Sequence, residues 1–67
     1  VITVIINGAI RQLPQSITIS ALVEEIGMTG KRIALERNGE IVPRSTFTAQ
    51  HLADGDKLEI VVAVGGG

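Results

Sequence analysis

The sequence predicts a two-layer α+β domain, a mixed sheet of four to five strands packed on one main helix. Three observations predict it. Asn-Gly pairs at 7–8 and 38–39 each separate β-rich runs, which is the pattern of two-residue hairpins. A single stretch, Ile19 to Ile26, places its apolar residues at helical spacing. A last alternating run, Lys57 to Val62, lies a long connection away and must return to the same sheet.

The elements follow in order. Val1 to Ile6 is apolar but for Thr3 and rich in β-branched residues, which suits a strand covered on both faces or nearly so. Asn7-Gly8 supplies the two positive φ angles of a type I′ turn. Ala9 to Leu13 returns as the second strand, and Pro14 helps to end it. Ile19, Leu22, Val23 and Ile26 then fall at i, i+3, i+4 and i+7, one stripe of an amphipathic helix. Thr18 is its expected N-cap, with Ser20 the alternative, and Gly27 its C′ residue. A helix over 19–26 is short enough to depend on packing against a sheet.

Met28 to Lys31 reads as a loop. Arg32 to Arg37 alternates as a strand, with Ile33 and Leu35 on one face and Arg32, Ala34 and Glu36 on the other. After the Asn38-Gly39 turn, Glu40-Ile41-Val42 is a short strand stopped by Pro43, which places it at an edge. Arg44 to Leu52 has no clean period and reads as a helical turn or loop with Phe47 and Leu52 tucked inward. Asp54-Gly55-Asp56 is a tight turn. Lys57 to Val62 is the last strand, with Leu58, Ile60 and Val62 inward and Lys57 and Glu59 outward. The first and last strands are the most apolar, so they are expected to pair in the middle of the sheet. The domain is expected over 1–62, with 63–67 a C-terminal tail.

Composition excludes several functions. The 67 residues bound a single domain, near the lower limit for folding without disulfides or metal. There is no cysteine, hence no disulfide, thiolate zinc site or thiol nucleophile, a usage that fits a reducing, cytoplasmic setting. A net charge of −1 and a single aromatic, Phe47, argue against nucleic acid as a partner. No apolar run reaches membrane-spanning length. His51, the only histidine, has no Ser/Asp pattern for a triad and no second ligand for a metal. Asp54 and Asp56 read as turn formers, Glu24 and Glu25 as a solvated helix face, and Arg37 and Arg44 as solvated charges, with contact to a partner the alternative for the two arginines. Val61 and Val64 are better candidates for an interface, being apolar and outward or near the tail.

The end of the sequence carries the chemistry. An apolar strand runs into Gly65-Gly66-Gly67. Glycine loses the most backbone freedom on ordering and buries no side chain, so such a run does nothing for stability. It is either a disordered end or a chemical handle, and we read it as a handle whose reactive group is the Gly67 carboxylate. That group, with a pKa of roughly 3.3–3.7, is an anion at neutral pH and a poor electrophile until coupled to phosphate. Glycines without Cβ atoms suit a narrow channel, and residues 63–67 extended reach about 17 Å.

The segments Glu36-Arg37-Asn38-Gly39-Glu40-Ile41-Val42-Pro43-Arg44 and Leu52-Ala53-Asp54-Gly55-Asp56-Lys57-Leu58-Glu59-Ile60-Val61, with the Val64-Gly65-Gly66-Gly67 end, resemble the thiamine-biosynthesis sulfur carrier family (ThiS). The resemblance spans essentially the whole chain. The Asp-Gly-Asp turn, strand and Gly-Gly ending is shared with the molybdopterin-synthase small subunit and other ubiquitin-like carriers. The Ile-Val-Pro-Arg segment points to the thiamine branch. The resemblance implies the β-grasp, or ubiquitin-like, fold. It implies a protein co-substrate with no catalytic residue or bound cofactor of its own. A ThiF-type adenylating enzyme would use ATP to adenylate Gly67. A cysteine desulfurase or other persulfide donor would supply sulfur for a thiocarboxylate, and thiazole synthase would receive it. Val64, Gly65 and Gly66 would be the residues that enter the partner's channel. A molybdopterin-synthase-type subunit and a modifier joined to lysines through Gly67 are the alternatives, because the same activated carboxyl group serves each.

Overall fold

The β1 strand, Ile2–Ile6, turns at Asn7-Gly8 into β2, Ala9–Leu13. Both turn residues have positive φ, 50° and 83°, as a type I′ turn requires. Helix α1, Ile19–Glu25, follows, then β3, Ile33–Arg37, and a minimal β4, Glu40–Ile41. A 3₁₀ turn at Arg44–Thr46 leads through a loop to β5, Lys57–Val62. The structure, a computed structural model, describes residues 1–63.

The strands form one sheet in the order β2-β1-β5-β3-β4. The β1–β5 pair is parallel, with Ile5 opposite Lys57 and Ile6 opposite Leu58. The other pairs are antiparallel. The first and last strands therefore meet in the middle, as their composition predicts. This is the β-grasp architecture: a mixed sheet with one helix across one face. The edge position expected for the strand before Pro43 is also found, since β4 pairs with β3 alone.

Thr18 caps α1, its hydroxyl accepting from the Ala21 N–H at 3.1 Å. At the other end the Met28 N–H donates to Val23 and the Gly27 N–H to Glu24, with Gly27 at φ 79°. These bonds form a Schellman motif, which satisfies carbonyls that the helix end would leave open. The helix buries Ile19, Leu22 and Val23 against Val4, Leu13, Leu35, Leu58 and Ile60 of the sheet, with Phe47 and Leu52 closing the core. Ile19, Leu22 and Leu58 have no exposed surface, and burying each contributes about 1.5–3 kcal/mol.

Three boundaries differ from the expectation. Ile26 is the C-cap rather than the last helical residue: its N–H still bonds the Leu22 carbonyl, but its φ of −88° and ψ of 5° leave the helical conformation. Arg32 lies outside β3, which begins at Ile33. Val42 is outside β4 but buried, held by one bond from its N–H to the Leu35 carbonyl before Pro43 removes the next donor.

Candidate functional site

Val64, Gly65, Gly66 and Gly67, the residues expected to carry the chemistry, lie outside the described residues. The structure instead shows how their root is built. The strand that leads into them, β5, is flanked on both sides, by β1 and β3. Its register with β3 runs from Arg37–Leu58 to Ile33–Val62. Beyond that ladder the Ala63 N–H donates to the Arg32 carbonyl at 2.8 Å. The chain is thus held by backbone hydrogen bonds up to the residue before Val64.

Two side chains extend this grip, and both belong to the turn asparagines. Past the end of β1, the Asn7 N–H donates to the Leu58 carbonyl, and its side chain then takes the place of the next strand residue. Asn7 Oδ1 accepts from the Ile60 N–H at 2.7 Å, and Nδ2 donates to the Ile60 carbonyl at 3.0 Å. Asn38 does the corresponding work at the start of β5. Its Oδ1 accepts from the Lys57 N–H at 2.9 Å, and its Nδ2 donates to Asp56 Oδ1 at 3.1 Å. Read as turn chemistry alone, both asparagines hide this role. The available signal was that Asn, Asp and Gly all tolerate positive φ, but only Asn carries both a donor and an acceptor.

Asp56 and Arg37 correct the sequence reading. Asp56 is buried, not merely a turn former, and Arg37 is not a solvated charge. They pair at 2.8 Å, with side-chain exposures of 8% for Asp56 and 22% for Arg37. Asp56 also accepts from the Ala53 N–H at 2.8 Å, while Arg37 donates to Gln50 at 3.2 Å. Burial works to raise the Asp56 pKa. The Ala53 amide, the Asn38 amide and the Arg37 guanidinium outweigh it and hold the carboxyl below its ordinary value. The other acid of the turn, Asp54, does bond nearby backbone, but across the fold: its Oδ1 accepts from the Thr3 N–H at 2.7 Å. Arg44 is exposed, yet its guanidinium donates to the Lys31 carbonyl at 2.7 Å.

His51 is exposed and forms an isolated bridge with Thr18. Among the described residues no group of three or more His, Asp or Glu side chains could hold a metal, and no helix is long and apolar enough to cross a membrane. Glu24 and Glu25 are exposed on α1, with Glu25 3.6 Å from Arg11. Val61 points away from the helix and is 63% exposed, on the same uncovered face as Ile10 and Ile41.

Comparison with known proteins agrees with this picture. The crystal structure of the thiamine biosynthesis protein ThiS of Geobacter metallireducens matches with a TM-score of 0.83 at 26% identity, covering 98% of this chain and all of that one. The thiazole synthase of Paramagnetospirillum magneticum is 48% identical over 63 residues, which are 94% of this chain and 19% of that protein. The chain therefore spans about a fifth of that relative's length. Ycf40 of Pyropia yezoensis is 33% identical over 66 residues, covering 98% of this chain and 93% of the relative. The ThiS family model matches residues 4–67, from β1 through the terminal glycines. With that match over a β-grasp fold, the chain belongs to the ThiS family.

Proposed function

We propose that this chain is a protein co-substrate whose Gly67 carboxylate is converted to a thiocarboxylate and delivers its sulfur for thiazole formation. In the first step a carboxylate oxygen attacks the α-phosphorus of ATP on a ThiF-type adenylating enzyme, and pyrophosphate leaves. The terminal sulfur of a persulfide, supplied by a cysteine desulfurase or another donor, then attacks the acyl carbon and expels AMP. A thiol cleaves the resulting S–S bond, is itself oxidised to the disulfide, and leaves the thiocarboxylate. Thiazole synthase is the acceptor, and the cytoplasm is the compartment that fits the absence of cysteine.

The observation that carries the reading is the family match running through Gly67. The acceptor is supported by the segment like this chain within a protein named thiazole synthase. The geometry fits the role. A backbone hydrogen bond to Arg32 holds Ala63 at the edge of the body, and glycines carry no side chains that would block a channel. The acyl-adenylate is water-sensitive, so the partner must enclose it. The test is ATP–pyrophosphate exchange with the cognate adenylating enzyme. The full chain should support exchange, and a chain lacking Gly67 should fold normally and support none. Exchange undiminished by the deletion would refute the assignment to Gly67.

A further inference from the structure

Three cations gather where the chain leaves the sheet. The Ala63 N–H bonds to the Arg32 carbonyl, and the Arg44 guanidinium bonds to the Lys31 carbonyl. Those two bonds fix residues 31–32 between the end of β5 and the turn after Pro43. Lys31, Arg32 and Arg44 are all exposed. Beside them opens a cleft of about 270 Å³, lined by Lys31 and Arg44 together with Val23, Ile33 and Phe47. The acids near this pole, Glu24 and Glu25, sit on the last turn of α1, and Glu25 is engaged by Arg11.

The opposite half of the sheet has the opposite sign. Glu36 faces Glu59, and Glu40 faces Arg37, both beyond the midpoint of the β3–β5 ladder from Ala63. Asp54 and Asp56 lie at the beginning of β5. Five of the seven acids thus stand away from the exit point, while three of the six Lys and Arg residues lie beside it, on its β3 side. The small net charge conceals a charge separation along β5.

We propose that Lys31, Arg32 and Arg44 form a basic collar that docks on an acidic rim around the channel of the enzyme that takes the C-terminal glycines. The inference rests on the carrier reading. Reach decides what the collar meets. Four residues beyond Ala63 extend at most about 14 Å, so with Gly67 at the nucleotide the collar stays at the channel mouth. It therefore meets protein, not phosphate. Glycines give a partner no side chains to grip, so affinity must come from the body around the root. A collar of one sign with acids held at the far pole also orients the approach, tail first. The apolar lining of the cleft accommodates an aliphatic side chain of the rim next to its carboxylates.

The test is a titration of the chain against its cognate adenylating enzyme over a salt series, comparing parent, a K31E/R32E double variant and K57E. Lys31 and Arg32 hold the fold through their carbonyls, so reversing their side chains leaves those bonds in place, which an unchanged far-UV circular dichroism spectrum and thermal midpoint verify. The double variant should bind roughly tenfold or more weakly at low salt, with the difference shrinking as salt rises. K57E, a reversal in the other half, should stay within about twofold of the parent. Equal affinity of parent and double variant at low salt would overturn the collar. An enzyme that binds the parent but forms no acyl-adenylate would refute the carrier reading, while the same affinity comparison still decides the collar. Absence of binding by the parent overturns both.

Discussion

Asn7→Gly isolates the side-chain grip on the root of the tail. Asn7 sits at φ 50°, which glycine adopts freely, so the turn itself is not strained by the change. What disappears is the pair of bonds to Ile60, at 2.7 and 3.0 Å. Each is worth about 0.5–1.5 kcal/mol net, giving roughly 1–3 kcal/mol for the pair. The greater freedom of glycine in the unfolded chain adds about 0.4–1 kcal/mol. The sum, about 1.4–4 kcal/mol, is a large part of what a core of this size supplies, roughly 3–5 kcal/mol. With a urea slope of about 1 kcal/mol/M, the midpoint should fall by about 1.4 M or more. Far-UV circular dichroism is the assay, since the chain has no Trp or Tyr. Amide exchange locates the effect: the Ile60 N–H should lose protection. A midpoint within about 0.5 M of the parent's, with the Ile60 amide still protected, would refute the claim that Asn7 completes the ladder.

Three other substitutions test neighbouring parts of the account. Asp56→Asn should cost roughly 2–4 kcal/mol by denaturation, less than a fully buried pair because Arg37 keeps 22% of its side-chain surface exposed. It should also flatten acid unfolding. The folded pKa of Asp56 lies below its unfolded value, so its contribution is complete above about pH 4 and is lost as pH falls through the folded pKa. A variant with the parent's acid profile would contradict this. Ile60→Ala removes an inward residue of β5 and should destabilise by roughly 2–5 kcal/mol, an unchanged thermal midpoint showing that the facing is wrong. Gly55→Ala meets open space but a φ of 88°, so a loss of about 1–2 kcal/mol is expected from conformation alone, and none if the turn relaxes.

Local chemistry made most of the fold legible in the sequence. The two Asn-Gly turns, the stripe from Ile19 to Ile26, the Thr18 cap and Gly27 each state their conformation within a few residues. Even the central pairing of β1 and β5 followed from their being the most apolar strands, although coverage of both faces did not: Val61 of β5 is 63% exposed on the face without the helix. What stayed hidden was long-range and polar. Arg37 and Asp56 lie 19 positions apart, and nothing in the spacing shows that β3 and the turn before β5 bring them to 2.8 Å. The Asn7–Ile60 bonds span 53 positions. Charged and amide residues read as solvated or turn-forming until the topology says what faces them. The candidate site, Gly65-Gly66-Gly67, lies outside the described residues and rests on the sequence: glycine offers no side chain to bury, so a run of three asks for a chemical explanation.

The central claim is that Gly67 carries sulfur. Intact mass spectrometry tests it directly, after incubating the chain with ATP, the cognate adenylating enzyme, a cysteine desulfurase, cysteine and a thiol reductant. The account predicts a mass gain equal to the exchange of one oxygen for sulfur, localised by fragmentation to Gly67. An unchanged mass with all components active, or a gain at any other residue, would contradict it.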